Sequence, residues 1–137
     1  MQQVIGSFSC CGRAVDVTTL KALNSLAARQ SKPTQRTQGS IKQFLDCMAT
    51  HPTATMQHHP SNMTLQVHSD ASHLNEAKAC SMAGGHCFLG NKLNDNEAIF
   101  LNGAVHTLCT MIKHVAASTA EAKLGALFLN AKEAKII

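Results

Sequence analysis

Hydrophobic spacing changes near the middle of the chain, and this change constrains the fold more than any other feature of the sequence. Before Pro52, apolar residues recur every three or four positions, as they do in amphipathic helices. At residues 63–70, MTLQVHSD, apolar and polar residues alternate, which is typical of a half-buried strand. The two periods in one chain predict a mixed fold in which helices precede a sheet.

Two helices are predicted in the first part of the chain, at 16–29 and 35–50. Pro33 separates them, because proline disfavours the helical conformation in the residue before it. Their apolar positions are Leu20, Leu23, Leu26 and Ala27 in the first helix and Ile41, Phe44, Leu45 and Met48 in the second. The expected caps are Asp16 or Thr18 for the first helix and Thr34 or Thr37 for the second.

Three strands follow, at 63–70, 83–90 and 103–112. The stretch ASHLNEAKACSM reads as a polar connection, and LNDNE at 93–97 has the composition of a turn. Gly84 and Gly85 suggest a bulge or irregularity in the second strand. Because the connections are short, we expect an antiparallel meander.

A last helix is predicted at 119–135. Ser118 and Glu121 have the S-x-x-E spacing of a capping box. The apolar stripe expected to face the core consists of Ala120, Leu124, Leu127, Phe128 and Ala131.

The composition of the chain argues against secreted and membrane-spanning proteins and is compatible with nucleic-acid contact. The start of the chain lacks the features of a secretory leader, and no apolar run approaches the length of a membrane span. We therefore expect the six cysteines to be free, mostly buried thiols in a reducing compartment. Twelve Lys and Arg against eight Asp and Glu give a net charge of +4, which permits nucleic-acid contact without requiring it. Since the basic residues are spread along the chain, they read as a solvated surface.

Six segments together have the order and character of one known family. They are FSCCGRAVDVTTLKALNSLAARQSKPTQRT, IKQFLDCMATHPTATM, MTLQVHSDASHL, KACSMAGGHCFLGN, LNGAVHTLCTMIKHV and STAEAKLGALFLNAKEA. In this order they resemble a copia-type retrotransposon polyprotein, from the end of its reverse transcriptase into its ribonuclease H domain. The resemblance covers nearly the whole chain, and the ordered set carries it rather than any single piece.

The resemblance implies two domains: a helical reverse-transcriptase thumb or connection segment at 1–52 and a truncated ribonuclease H-like domain at 53–137. The expected fold class is mixed α and β (α+β). Two N-terminal connection helices precede a partial ribonuclease H-like three-stranded antiparallel sheet, and a C-terminal helix packs on that sheet.

The activity that the resemblance implies is two-metal hydrolysis of the RNA strand in an RNA–DNA hybrid, with Mg²⁺ or Mn²⁺ as cofactor. Asp70, at the end of the first strand, and Glu121, at the start of the last helix, match the family's metal-binding catalytic carboxylates. The implied partners are the hybrid and the remainder of a polyprotein, with no membrane. The implied location is cytoplasmic, including a virus-like particle, or nuclear.

Three departures from the family pattern lead us to expect a chain without this endonuclease activity. The helix motif reads Ala120-Glu121-Ala122-Lys123, whereas family members usually carry acids at both the 121 and the 123 positions. A Lys123 ammonium would repel Mg²⁺. The acids that the family places beyond position 137 are not in this sequence, and Cys or His replaces Tyr or Arg at several positions.

Both candidate carboxylates also have plain structural interpretations. Asp70 could begin an Asx turn after the strand, and Glu121 fits a capping box without any metal. Lys123 could be an ordinary solvated residue on the flank of the helix.

Two other classes of function stay open: a non-catalytic nucleic-acid or protein interaction module, and a zinc-binding structural protein. The Cys and His residues form only isolated doublets, such as Cys10-Cys11 and His58-His59, rather than two ligand pairs. The outer edge of the first strand, LQVHSD, is expected to lack a partner strand and to favour self-association.

Overall fold

The computed structural model describes residues 2–92 and 98–137. The chain divides into a helical unit, residues 1–56, and a sheet unit, residues 57–137. The described residues form four α-helices and one three-stranded antiparallel sheet, so the mixed α+β class is confirmed. The turn predicted at 93–97 lies outside the described residues.

The helical unit consists of α1 (Gln2–Ala14), a short 3₁₀ helix (Val17–Thr19), α2 (Leu20–Ala28) and α3 (Gln35–Thr50). Leu23, Leu26 and Phe44 form its core, as the helical spacing predicted. The sequence reasoning missed α1. Its Phe8 ring packs edge-on against Phe44, with ring centroids 5.2 Å apart.

Polar side chains fix the ends of these helices. The Asp16 carboxylate accepts a hydrogen bond from the backbone N–H of Thr18 and thereby caps the 3₁₀ helix. The α-helix therefore begins at Leu20, later than expected. Thr34 and Thr37 form a reciprocal capping box, which starts α3 one residue after Thr34.

The sheet unit contains β1 (Thr64–Glu76), β2 (Cys80–Gly90) and β3 (Ala104–Ile112), in the order β1-β2-β3. The predicted polar connection is wrong, because β1 continues through it and a tight 3₁₀ turn (Ala77–Ala79) leads directly into β2. Leu74, Lys78 and Ala79 adopt positive φ angles of 54°, 62° and 54°. These angles are unfavourable for residues that carry a Cβ. The pairing of β1 with β2 shifts register between Ser72 and Glu76, which accommodates the irregular stretch.

The glycine pair of β2 is not a bulge, contrary to expectation. Gly84 pairs with Asp70 and Gly85 with Ser69 in regular register. An alanine Cβ at position 85 would overlap the Oδ1 atom of Asn130 and would lie 2.7 Å from its Cγ. Gly85 is therefore explained by the close approach of a helix to the sheet rather than by the course of the strand.

That helix is α4 (Thr119–Ala134), and the face that it buries is the opposite of the predicted one. Ala122, Ala126 and Asn130 are buried against the sheet. Leu124, Leu127 and Phe128 are 66%, 54% and 65% exposed. The sheet presents the small residues Ala83 and Gly85 below the helix, and at Gly85 the helix approaches so closely that a Cβ would overlap Asn130. Around this point Ile112, Leu108 and Leu129 complete the core.

The six cysteines are free, but only Cys87 is buried, so the expectation of mostly buried thiols is wrong. Burial raises the pKa of the Cys87 thiol above its usual value, and the nearby carboxylate of Glu133 adds to this rise. The Cys87 thiol is therefore held in its neutral, weakly nucleophilic form.

Among the described residues, no helix has both the length and the hydropathy that a membrane crossing requires.

Candidate functional site

The candidate site lies where α4 packs across β1 and β2. Lys123 Nζ is 3.6 Å from Asp70 Oδ1, which joins the helix to the first strand by an ion pair. Both side chains are largely exposed, Lys123 by 61% and Asp70 by 79%. Water screens such a pair, so its contribution to stability is at most about 1 kcal/mol.

Asn130 fixes the helix on the sheet. Its Nδ2 donates to Ser69 Oγ and to the backbone oxygen of Gly84, both at 3.0 Å, and to the Ala126 oxygen one turn earlier, at 2.9 Å. The side chain is fully buried. Ser69 directly precedes Asp70 in β1, and Gly84 is the cross-strand partner of Asp70. The hydrogen bonds from Asn130 to Ser69 and Gly84 therefore set the position of Asp70 relative to the helix.

Glu121 has a different role from the one that the resemblance implies. Its Oε2 accepts a hydrogen bond from the backbone N–H of Ala117 at 2.7 Å, and its own N–H donates to Ser118 Oγ at 3.1 Å. Ser118 is therefore the N-cap, and Glu121 acts at the helix start without a metal, but its carboxylate bonds the N–H of Ala117 rather than that of Ser118, so the box is not the expected reciprocal one. The carboxylate also lies at the positive end of the helix dipole, which favours it there.

The two candidate metal ligands therefore have different partners. Asp70 contacts the Lys123 ammonium, and Glu121 contacts the backbone that precedes α4. Mg²⁺ prefers several oxygen ligands in octahedral geometry, and catalytic pairs of Mg²⁺ ions are held by multiple carboxylates. One carboxylate beside a cation does not fit that requirement.

A second hydrogen bond joins the segment before α4 to the last part of β1. A ring nitrogen of His73 lies 3.0 Å from the backbone oxygen of Ala116, which is buried. This contact and the Asn130 bonds hold both ends of the buried helix face against the sheet. The relative position of Asp70 and Lys123 is thus set by buried contacts rather than by the exposed ion pair itself.

Sequence reasoning missed Asn130 and Asn102. Asn102 Nδ2 donates to the backbone oxygens of His59 and Leu89, and its Oδ1 accepts from the His59 N–H, so that the segment before β1 is joined to the end of β2. The available signal for Asn130 was a single amide among the alanines and leucines of α4. That signal is weak, because exposed asparagines in helices look the same in a sequence.

Within residues 2–92 and 98–137, no three His, Cys, Asp or Glu side chains are grouped as metal ligands would be. Comparison of the chain with protein-family models, with curated proteins and with solved structures gives no match.

Proposed function

We propose that this chain is a non-hydrolytic, ribonuclease H-like segment of a copia-type retrotransposon polyprotein. Its ligand class is the RNA–DNA hybrid, and its ancestral activity is two-metal hydrolysis of the RNA strand. The proposal includes an intracellular site of action, in the cytoplasm, a virus-like particle or the nucleus.

The observation that supports this proposal is the contact between Asp70 and position 123. The resemblance leaves two positions, 121 and 123, for the helix acid that would share a metal ion with Asp70. The side chain that contacts Asp70 is the one at position 123, and in this chain that residue is a lysine. Glu121 instead caps its own helix. A site with a cation in place of its second carboxylate loses Mg²⁺ affinity by direct repulsion.

We expect purified protein to leave a labelled RNA–DNA hybrid intact in Mg²⁺ or Mn²⁺, because the pair of carboxylates needed to hold the metal ions is incomplete. The rate should be indistinguishable from that of Asp70→Asn. Gel analysis of the labelled RNA strand measures cleavage, and circular dichroism verifies that both proteins are folded. Metal-dependent cleavage by the parent chain that disappears in Asp70→Asn would contradict the proposal.

The same proposal includes self-association on the β1 side of the sheet. Strand β1 is an edge of the sheet over the described residues, and the exposed Leu124, Leu127 and Phe128 lie on the helix that packs against it. Unpaired strand edges and exposed apolar side chains both favour association.

Sedimentation velocity should therefore show an average mass that rises with protein concentration. The double variant Leu124→Gln/Phe128→Gln should shift the distribution toward monomer by at least tenfold in dissociation constant, because it removes apolar surface that association would bury. Val105→Gln, an exposed apolar residue of β3, is the matched control and should leave the distribution unchanged. A monomer at all concentrations would rule out this part of the proposal.

A further inference from the structure

The dipeptide Asn102-Gly103 directly precedes β3, and it is the one place in the sequence where glycine follows asparagine. Asparagine is chemically labile in this context, because glycine has no side chain to hinder attack of its backbone nitrogen on the asparagine amide. The product of that attack is a cyclic succinimide, which water opens to aspartate or isoaspartate. The fold around Asn102 decides whether this reaction is blocked or favoured.

Packing requires glycine at position 103. A Cβ there would lie 2.5 Å from the backbone oxygen of Gln57 and 2.7 Å from the ring of His58. The first of these atoms belongs to the main chain, so it cannot turn aside as the end of a flexible side chain can. The fold therefore excludes the larger residues that would shield the preceding asparagine from attack.

Hydrogen bonds require asparagine at position 102. Its Nδ2 group donates to the backbone oxygens of His59, at 2.9 Å, and Leu89, at 2.8 Å. Its Oδ1 atom accepts from the N–H groups of His59, at 2.7 Å, and Gly103, at 2.8 Å. An ionised aspartate only accepts hydrogen bonds, so it could keep the two bonds made by Oδ1 but not the two made by Nδ2.

The contact between Asn102 and Gly103 brings the reacting atoms together. The Gly103 nitrogen is the nucleophile, and it lies 2.8 Å from Asn102 Oδ1. The Cγ atom that it would attack is bonded to that oxygen at about 1.2 Å, so the two reacting atoms are at most about 4 Å apart. Groups held this close react as if they were present at high effective concentration.

His86 is placed to activate the nucleophile. Its Nε2 atom lies 3.1 Å from the backbone oxygen of Asn102. Because a carbonyl oxygen can only accept, the ring nitrogen donates this hydrogen bond. That carbonyl belongs to the peptide group whose nitrogen attacks, and negative charge develops on its oxygen when the Gly103 N–H loses its proton. A donor at this oxygen stabilises the charge, as the donors of an oxyanion hole do.

We propose that Asn102 is a self-modification site, at which the Gly103 nitrogen converts the Asn102 amide to a succinimide and water then converts this ring to aspartate or isoaspartate. The Gly103 nitrogen gives its proton to hydroxide and forms a bond to Cγ. The bond from Cγ to Nδ2 breaks, and Nδ2 leaves as ammonia after taking a proton from water. One water molecule then opens the ring, at Cγ to give aspartate or at the backbone carbonyl carbon to give isoaspartate.

The modification weakens the attachment of residues 57–63 to the sheet. With a carboxylate at position 102, the oxygen that replaces Nδ2 faces the backbone oxygens of His59 and Leu89, and acceptors repel each other where hydrogen bonds stood before. The protein therefore changes irreversibly with age, and faster at high pH because attack needs the deprotonated nitrogen. This inference concerns the sheet unit alone and does not depend on the proposed descent from a ribonuclease H.

The first test is peptide mapping by mass spectrometry after the full chain is incubated at about pH 8 and at about pH 5. Conversion at Asn102 should be at least tenfold faster at the higher pH, and at least tenfold faster than at Asn24, which serine follows within α2. His59, Lys92 and His86 are the titratable side chains beside Asn102. His86 donates from Nε2 whether it is neutral or protonated, so its bond does not reverse this pH dependence.

A synthetic peptide of residues 98–107 is the reference, because it contains the same dipeptide without the folded surroundings. Conversion at Asn102 in the folded chain should be at least as fast as in this peptide, since the structure holds the reacting atoms together and places a donor on the peptide oxygen.

Two variants of His86 test its role as the donor. His86→Phe keeps a ring of similar size but has no N–H group, and it should slow conversion at least fivefold. His86→Gln supplies an amide donor and should keep most of the rate. Since both variants remove the imidazole, a general loss of packing would change both rates alike.

The variant Asn102→Asp reproduces the aspartate product and should speed hydrogen exchange at the His59 and Asn62 amides at least tenfold. The matched control is Asn91→Asp, which makes the same chemical change beside the same segment. Asn91 Oδ1 accepts from the Asn62 N–H at 2.9 Å, and a carboxylate accepts that bond equally well. The control should change the exchange less than twofold.

Three results would overturn the inference. The first is slower conversion in the folded chain than in the peptide, which would show that the hydrogen bonds protect the amide. The second is equal slowing by both His86 variants, which would remove His86 as the activating donor. The third is equal hydrogen exchange in Asn102→Asp and Asn91→Asp, which would show that Nδ2 of Asn102 does not hold residues 57–63.

Discussion

Replacing Gly85 by alanine is expected to lower the free energy of unfolding of the sheet unit by about 3 kcal/mol. The new methyl group would overlap Asn130 Oδ1 and would lie 3.0 Å from Leu108 Cβ. Position 85 lies in the middle of β2, paired on both sides with Ser69 and Leu108. The strand therefore has little freedom to move away from the helix.

Asn130 cannot easily move to make room. Its side chain is fully buried, and its Nδ2 group bonds to Ser69, Gly84 and Ala126. Any rotation that frees space for the methyl group breaks some of these bonds and leaves buried polar atoms without partners, at about 1–3 kcal/mol for each. The expected loss combines this penalty with the strain of overpacking.

Urea denaturation followed by circular dichroism measures this loss. Gly84→Ala is the matched control, because a Cβ at position 84 meets only the Asp70 oxygen at 3.7 Å, an ordinary contact. It should change stability by less than about 1 kcal/mol. Adding Asn130→Ala to Gly85→Ala should restore part of the lost packing, so that the two effects are not additive. A Gly85→Ala protein as stable as its parent would show that α4 does not pack as described.

Replacing Lys123 by glutamate is expected to create a Mn²⁺ site where the parent chain has an ion pair. The substitution places a second carboxylate beside Asp70 in place of the ammonium now 3.6 Å away. Two carboxylates at this separation repel each other when no cation is present, and both can bind the same cation when one is present. We expect Mn²⁺ to bind at least tenfold more tightly than in the parent chain, a difference of about 1.4 kcal/mol.

Isothermal titration calorimetry or the electron paramagnetic resonance signal of free Mn²⁺ measures this gain. Lys123→Gln removes the ammonium without adding a ligand and should give a smaller effect. Asp70→Asn in the Lys123→Glu background should abolish the gain, and Glu121→Gln should leave it unchanged because Glu121 caps the helix. A gain that survives Asp70→Asn would place the new site elsewhere and contradict the geometry.

Local sequence signals predicted most of the secondary structure. The helix at 35–50 and its Thr34 cap follow from apolar spacing and a capping residue, both of which act within a few positions. The first strand follows from alternation, the two later strands were predicted as short segments between turn signals, and the antiparallel order follows from short connections. Helix α1 was missed because its Gly, Ser and Cys residues are poor helix formers, and the helix is stabilised by packing against Phe44 instead.

The orientation of α4 could not be predicted from its own sequence. Periodicity identified Leu124, Leu127 and Phe128 as the natural buried face. The structure buries the alanine face, which packs closely over Ala83 and Gly85 of the sheet. This preference depends on residues more than 35 positions away, so no local pattern contains it.

Some features of the candidate site could also be predicted from the sequence, and others could not. Asp70 at the edge strand and Glu121 at a helix start were identifiable from the sequence, as was the capping interpretation of Glu121. That Lys123 rather than Glu121 faces Asp70 depends on the rotation of α4, which the buried Asn130 fixes. A hydrogen bond between residues 46 positions apart, from Asn130 to Gly84, is set only when the chain is folded.

By itself, then, the sequence determined three of the four described helices, the existence of three strands and their order, since these depend on spacing, caps and short connections within a few residues. The tertiary structure alone decided which face of α4 is buried and which side chain pairs with Asp70. Those outcomes depend on close packing and on charges brought together by folding, and neither has a signature in any short stretch of the chain.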